Sequence, residues 1–131
     1  MTDTDDSTVN VRYLVDDVQA AIDFYTTQLG FTLRTAHLPA FADVTRGNLR
    51  LLLAGPASSA GRPMPGGRRP VRVGWNRIQL IVADLSAEIA RLRAAGVNFR
   101  NDIVTGPGGQ QIVLEDPAGN PIELFVPAAV G

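Results

Sequence analysis

The chain contains neither cysteine nor lysine among its 131 residues, and it has a single histidine. Without cysteine, a protein cannot form disulfides, thiolate nucleophiles or sulfur-ligated metal sites. The sequence also lacks an apolar run of the roughly 20 residues that span a bilayer. Its net charge of -1 provides no field that would attract nucleic acid or an anionic membrane. We therefore expect neither nucleic acid nor a membrane as a partner.

The N-terminal segment Met1 to Thr8, MTDTDDST, is acidic and polar. A secretory leader instead begins with basic residues and continues with apolar ones, so we expect a cytoplasmic location. A chain of this length can bury about two-thirds of the surface that it exposes when unfolded. We therefore expect residues 1–131 to form a single domain that needs no disulfide or metal to fold.

Two segments of the sequence repeat one pattern, in which a β-rich run ends in Asp and is followed by a helical period that stops at Gly. The segments are residues 11–31, VRYLVDDVQAAIDFYTTQLGF, and 78–99, IQLIVADLSAEIARLRAAGVNF. Asp17 and Asp84 stand where a helix N-cap accepts hydrogen bonds from free backbone N–H groups. Gly30 and Gly96 stand where a left-handed residue ends a helix. The repeat therefore predicts two copies of one strand-helix unit.

Each predicted helix is followed by three short strand candidates. In order along the chain these are residues 32–36, 40–45, 49–54, 98–103, 110–115 and 121–126. The sequence therefore predicts an α+β protein of two tandem β-α-β-β-β modules, residues 9–54 and 76–127. Residues 55–75, rich in Gly, Pro, Ser and Arg, are predicted to be a linker or flap without secondary structure.

A β-α-β-β-β module is expected to form a curved antiparallel sheet with a helix on one face. Two such modules would enclose a cleft between their uncovered faces, and a concave surface of this kind is the default ligand site. The cleft can form within one chain or between the chains of a homodimer. Alternation along the strands predicts the side chains that line it: Asn10, Arg12, Leu14, Leu49, Leu51, Leu53, Arg77, Gln79, Ile81, Glu123 and Phe125.

The two repeated segments, together with LEDPAGNPIEL at residues 114–124, resemble the vicinal oxygen chelate superfamily, which includes glyoxalases, bleomycin resistance proteins and dioxygenases. The resemblance covers residues 9–127 and implies the tandem β-α-β-β-β fold. Enzymes of that superfamily hold a divalent metal with His and Glu side chains from the first and last strand of each module. Scaffolds of this kind carry many different chemistries, so the resemblance implies the fold more firmly than the reaction.

Alignment of the two copies gives the residues at the four metal-binding places of the superfamily as Asn10, Leu51, Arg77 and Glu123. Leu cannot ligate a metal, and Arg is permanently cationic. We therefore expect a degenerate metal site and no metal cofactor. The alternative is a divalent metal held by Glu123 together with His37 and substrate or water. We further expect Arg77 to form an ion pair with Glu123 in the place of the metal.

The function predicted from these residues is binding of an amphipathic small molecule in the cleft without metal, by a homodimer resembling the antibiotic-sequestering members of the superfamily. The predicted ligand-binding residues are Asn10, Arg12, Leu51, Trp75, Arg77, Gln79, Glu123 and Phe125. Trp75 is either a stacking platform for a planar ligand or a packing anchor for the linker. The alternative function is a metal-dependent lyase, isomerase or dioxygenase that uses Glu123, and a third is metal-free catalysis with Glu123 as the base.

Overall fold

The computed structural model describes residues 7–129, so most of the acidic segment that was compared with a leader lies outside the described range. The chain divides into two compact units between Arg72 and Val73. Each unit consists of one helix and one four-stranded sheet, in the order β-α-β-β-β. The predicted α+β class and the predicted tandem modules are therefore confirmed. Within residues 7–129, neither helix has the length and apolar character needed to cross a membrane.

The secondary structure elements have closely similar order in the two units. The first unit contains β1 (Val9–Leu14), α1 (Val18–Gln28), β2 (Thr32–His37), β3 (Phe41–Arg46) and β4 (Leu49–Ala54). The second unit contains β5 (Ile78–Ile81), α2 (Leu85–Ala94), β6 (Val104–Gly106), β7 (Gly109–Glu115) and β8 (Pro121–Pro127). The strand orders are β1-β4-β3-β2 and β5-β8-β7-β6, so the last strand of each unit lies next to the first.

Both sheets are mixed, whereas the sequence was interpreted in terms of antiparallel sheets. Strands β1 and β4 run parallel, as do β5 and β8, while the other neighbouring strands are antiparallel. The helix explains the parallel pair, because a helical crossover returns the chain so that the next strand runs in the direction of the one before it. Two hairpin turns later, the fourth strand again has the direction of the first.

The helix boundaries follow the predicted caps. Asp17 Oδ1 accepts a hydrogen bond from the Ala20 N–H at 3.0 Å, and Asp84 Oδ1 accepts one from the Ala87 N–H at 3.1 Å. The glycines that follow the two helices, Gly30 and Gly96, have φ values of 71° and 82°. Glycine adopts this left-handed conformation without the steric penalty of a side chain. The predicted caps are therefore confirmed at both ends of both helices.

Each helix packs its apolar stripe against one face of its own sheet. The buried helical residues are Val18, Ala21, Ile22 and Tyr25 in α1, and Leu85, Ile89 and Leu92 in α2. The buried strand residues beneath them include Val44, Leu51, Leu53, Ile112, Leu114, Ile122 and Leu124. Because strand side chains alternate between faces, the residues between these ones lie on the opposite face, which we call the open face.

The second predicted strand of the second module, residues 98–103, begins six residues later than expected. Residues 98–103 contain a single bridge between Phe99 and Leu114, and β6 begins only at Val104. Two backbone hydrogen bonds remain between this segment and β7, from Arg100 N–H to the Val113 carbonyl and from Glu115 N–H to the Asn98 carbonyl. The Val113 N–H, however, donates to the Asn101 side chain, to Oδ1 at 2.9 Å. The pattern of hydrophobic residues does not reveal such a side-chain acceptor, and the predicted strand at 98–103 is wrong.

The connector between the modules is more structured than predicted. A short 3-10 turn spans Ser59–Gly61, with the Ser58 side chain as its cap. At the other end, the Val73 N–H donates to Asn120 Oδ1 at 2.8 Å, within the second unit. Val73 has a φ of 79°, which is unusual for a β-branched residue and requires such anchoring. The connector therefore ends at Arg72, three residues before the predicted boundary.

Candidate functional site

Four of the predicted ligand-binding residues lie together on the open face of the second sheet. In the parallel pairing of β5 and β8, Gln79 is opposite Glu123 and Ile81 is opposite Phe125. Arg77 precedes Gln79 by two residues and its side chain reaches the same glutamate. The period of two along a strand places all of these side chains on one face.

Glu123 is bound on both of its carboxylate oxygens by side chains from the neighbouring strand. Arg77 donates to Oε1 through Nε at 2.9 Å and through its terminal nitrogen at 2.8 Å, and Gln79 Nε2 donates to Oε2 at 2.7 Å. Glu123 is only 6% exposed, so these bonds replace the hydration that the carboxylate loses. The predicted ion pair is confirmed, although its two members are neighbours within one sheet and do not face each other across a cleft.

Trp75 lies beside this group and is 68% exposed. Its carbonyl oxygen accepts a hydrogen bond from Arg77 NH1 at 3.1 Å. The Arg100 guanidinium lies 4.5 Å from the centre of the indole ring, which is the geometry of a cation-π contact. Arg100 also donates to the Gly74 carbonyl at 2.6 Å and to Glu115 at 2.8 Å, so its position is fixed from several sides. The indole is therefore supported on one face and still largely accessible.

The first sheet places Asn10 and Arg12 on its own open face, as predicted, but not Leu51. In the register of β1 and β4, Asn10 is opposite Arg50 and Arg12 is opposite Leu52. Leu51 instead pairs with Val11 and is 0% exposed beneath α1. The prediction that Leu51 lines the ligand site is therefore wrong.

Leu49 and Leu53 of β4 were also predicted to face the site. Like Leu51, they alternate along the strand with the open-face residues. The error comes from aligning the two modules through Gly47-Asn48 and Gly119-Asn120. The first pair alone forms the turn between β3 and β4, whereas the second pair ends a longer loop between β7 and β8. A slip of one residue moves every side chain of a strand to the other face.

The structural counterpart of Glu123 is Leu52. Arg12 and Gln79 each lie five residues before the N-cap of their helix, and they pair with Leu52 and Glu123, respectively. The four places at which the superfamily resemblance led us to expect metal ligands are therefore Asn10, Leu52, Arg77 and Glu123. Leu52 thus replaces Leu51 at the second of these places, and both are aliphatic side chains that cannot ligate a metal.

Asp43 is a buried carboxylate of the first sheet that the sequence analysis did not single out. It lies on the open face of β3, is 0% exposed, and its Oδ2 accepts hydrogen bonds from Arg34 NH1 at 3.0 Å and from Arg50 Nε. Burial alone would raise the pKa of Asp43, but the hydrogen bonds and charges of Arg50 and Arg34 outweigh it and hold the pKa below its usual value. A signal was present, because an Asp in the middle of an apolar strand requires a partner, and both neighbouring strands supply Arg.

His37 ends β2 on the open face of the first sheet, opposite Phe41, and it is exposed. It belongs to the first unit and Glu123 to the second. Across residues 7–129, the structure contains no group of three His, Asp or Glu side chains that could hold a metal ion. The surroundings of Glu123 do not fit a dication as they stand, because the guanidinium of Arg77 occupies the position beside Oε1 and would repel it.

Comparison with known proteins identifies the family to which this chain belongs. The model of the Glyoxalase/Bleomycin resistance protein/Dioxygenase superfamily matches residues 8–124. No curated protein matches the chain by sequence. Among solved structures, lactoylglutathione lyase from Agrobacterium tumefaciens is 21% identical with a TM-score of 0.73, covering 95% of this chain and 96% of that one. This likeness concerns the fold.

A second solved structure is more similar in sequence. TnmS3, an antibiotic binding protein from Streptomyces sp. CB03234, is 26% identical with a TM-score of 0.70, covering 92% of this chain and 95% of that one. A superfamily member from Sphaerobacter thermophilus DSM 20745 is 24% identical with a TM-score of 0.71, covering 91% and 95%. Because the family model spans almost all of the described residues, the chain belongs to the Glyoxalase/Bleomycin resistance protein/Dioxygenase superfamily.

Proposed function

We propose that this protein binds an amphipathic small molecule on the open face of its second sheet without a metal ion. The observation that carries the proposal is the state of Glu123, the carboxylate at the one metal-binding place that still has an acidic residue. Both of its oxygens are engaged by the chain itself, through Arg77 and Gln79. A buried carboxylate that is already paired with a guanidinium needs no metal cation to balance its charge.

The metal site is degenerate in this proposal. Asn10 and Leu52 occupy the two places in the first sheet, and Arg77 occupies the third place as a fixed positive charge. The guanidinium takes over the electrostatic task of a dication but offers no open coordination position. It would therefore hold Glu123 in place and present the remaining N–H groups as hydrogen-bond donors.

The neighbouring side chains support an amphipathic ligand. Ile81 is 61% exposed and Phe125 is half-buried beside it. Trp75 has an exposed side chain, and its carbonyl oxygen is bonded by Arg77. Sites for small molecules combine apolar and aromatic surface with a few polar groups that fix orientation. Similarity to the antibiotic binding protein TnmS3 supports an antibiotic-like ligand. The exposed indole of Trp75 favours a ligand with a planar apolar part. We expect Trp75 to stack on that part, because Arg100 already supports its other face.

Two further expectations stay predictions of this proposal. The first is the homodimer, in which a second chain would complete the enclosure of the ligand. The second is the cytoplasmic location. Size-exclusion chromatography with light scattering, at concentrations above and below the micromolar range, measures the oligomeric state directly. A monomer that binds ligand would retain the proposed site and remove the dimer from the proposal.

Metal content and ligand binding test the proposal together. We expect elemental analysis of the purified protein to give no stoichiometric Zn, Ni, Fe or Mn, and these metals to leave the melting temperature unchanged. Planar and glycopeptide antibiotics should then raise the melting temperature and quench the fluorescence of Trp75, which is the one tryptophan of the sequence.

Matched variants separate the proposed function from its alternative. Arg77→Gln should weaken ligand binding, whereas Arg91→Gln, which removes the same charge from the surface of α2, should not. A stoichiometric metal that is lost in Glu123→Ala would contradict the proposal. That result would support a metal-dependent lyase, isomerase or dioxygenase that uses Glu123.

A further inference from the structure

The first unit contains a polar cavity of about 360 Å³ that the sequence analysis did not anticipate. Arg34 from β2 and Arg50 from β4 contribute to its lining, together with Asn10 from β1. The hydroxyl-bearing residues Thr8 and Thr45 complete its polar wall. The guanidinium groups only donate hydrogen bonds, and the amide and hydroxyl groups can donate as well as accept, so each of these side chains can offer a donor to the cavity.

The positive charge of this cavity exceeds the negative charge that balances it. Two guanidinium groups, from Arg34 and Arg50, contact one carboxylate, that of Asp43. Both contact the same oxygen, Oδ2, while Asp43 Oδ1 is buried and has no hydrogen-bond partner among the described residues. Each guanidinium therefore gives Asp43 a single nitrogen, and its other N–H groups have no bonded acceptor within residues 7–129.

We propose that this cavity is an oxyanion site that takes the carboxylate or phosphate group of a small organic molecule. Guanidinium groups bind such anions through pairs of N–H donors, and two of them border one concave space here. Among residues 7–129, one positive charge remains uncompensated after Asp43 is counted, which matches the charge of a carboxylate.

Asp43 acts as a positioning residue in this site. It is fully buried and contacts both arginines, so it holds two long and otherwise flexible side chains beside the cavity before an anion arrives. Ordering such side chains in advance reduces the entropy that binding would otherwise cost. The remaining wall can bond the anion from other directions, through the Asn10 amide and the Thr45 hydroxyl.

The oxyanion site does not depend on the function proposed for the second sheet. Its residues all belong to the first unit, whereas Arg77, Gln79 and Glu123 belong to the second. Binding of a simple anion can therefore be measured without any knowledge of the amphipathic ligand. The two proposals can fail separately.

Titration of the purified protein with inorganic phosphate and with malonate, followed by calorimetry and by amide chemical shifts, tests the oxyanion site. We expect saturable binding of one or both anions, with shifts at Asn10, Thr45 and Arg50. Arg34→Gln should weaken it about tenfold or more, because a charged hydrogen bond contributes at least that factor. A preference between phosphate and malonate would identify which oxyanion the cavity favours.

Two further variants make the test decisive. Arg34→Lys retains the positive charge but loses the paired N–H donors of the guanidinium. Its affinity for the anion should therefore lie between those of wild type and Arg34→Gln. Arg91→Gln has the same charge loss on α2 and should bind as wild type does. Absence of saturable binding, or equal weakening by Arg34→Gln and Arg91→Gln, would overturn the proposal. Circular dichroism melts establish that each variant is folded, and Arg34 is exposed enough to be replaced without loss of the core.

Discussion

The two sheets carry a buried open-face carboxylate at the same cross-strand pair, but on opposite members of that pair. In the first sheet the pair is Asp43 and Leu52, with the charge on β3. In the second sheet it is Val113 and Glu123, with the charge on β8. The repeated fold therefore preserves the place of a negative charge while the strand that supplies it has changed.

The partners of the two carboxylates differ accordingly. Asp43 receives arginines from both neighbouring strands, and both bond a single oxygen. Glu123 receives Arg77 and Gln79 from the side of β5, and both of its oxygens are bonded. Within residues 7–129, the first group keeps a surplus positive charge, whereas the second is neutral and both oxygens of its carboxylate are bonded. A duplicated module can thus yield one site suited to an anion and another suited to an amphipathic ligand.

The largest expected change in the free energy of unfolding is that of Leu51→Ala. Comparison with Leu52→Ala tests which face of β4 each residue occupies. Leu51→Ala should lower the free energy of unfolding by about 3 to 4 kcal/mol, because Leu51 is fully buried under α1. The adjacent substitution Leu52→Ala, on the open face, should cost roughly 1 kcal/mol. Urea unfolding measures both. Equal losses would contradict the assigned register and restore Leu51 as the counterpart of Glu123.

Arg50→Met should lower the free energy of unfolding by about 2 to 3 kcal/mol. Removing one member of a buried pair leaves a charge that is poorly compensated, and Asp43 would keep only the more exposed Arg34. The partial exposure of Arg50 places the expected loss toward the low end of the usual range. The control is the double variant Asp43→Asn/Arg50→Met, which lacks the buried charge as well as the arginine. Urea unfolding compares it with the two single variants. A double variant no more stable than Arg50→Met would argue against this explanation.

Arg77→Met should have a smaller effect, about 1 to 2 kcal/mol. Gln79 still donates to the second oxygen of Glu123 in that variant, so the carboxylate keeps one strong hydrogen bond. Thermal unfolding of Arg77→Met and Arg50→Met under the same conditions ranks the two sheets. A larger loss for Arg77→Met would reverse the comparison and indicate that the second carboxylate depends more on its arginine.

The smallest expected effect is a pH dependence of the first sheet. Because the folded-state pKa of Asp43 is lowered, its ionised form contributes stability above its unfolded-state pKa. That contribution is lost as the pH falls through the folded-state value. The stability difference between wild type and Asp43→Asn should therefore be constant above about pH 4 and shrink in more acidic buffer. A difference that does not change with pH down to 2 would show that Asp43 is not ionised in the fold.

The fold was predictable because its signals are local. Asp17 and Asp84 cap helices and Gly30 and Gly96 end them, so the repeat can be read from spacing alone. The direction of β1 relative to β4 was not predictable in the same way, because no local pattern encodes which strands become neighbours. The sequence also gives no signal for a side chain that accepts a hydrogen bond from a strand in place of a neighbouring carbonyl, as Asn101 does.

The shared face of Arg77, Gln79 and Glu123 in the candidate site was predictable, because the β5 positions could be counted from a cap. Arg77 and Gln79 were placed by their distance from Asp84, and Glu123 by its isolation among apolar residues. The counterpart of Glu123 in β4 was not predictable, because loops of different length before β4 and β8 shifted the alignment by one residue, from Leu52 to Leu51. Asp43 was missed since its partners Arg34 and Arg50 lie on two other strands, and only the sheet brings them together.

The anchoring of Val73 to Asn120 and of Gly74 to Arg100 has a consequence for how the connector can vary. Trp75 and Arg77 follow directly after these anchors, so their placement depends on the second unit alone. The exposed stretch from Pro63 to Arg69 can therefore gain or lose residues without moving either side chain. Doubling the length of such a loop costs only about 0.6 kcal/mol. Connector length is thus a property that evolution can change freely here, while Trp75 and Arg77 of the proposed site keep their positions.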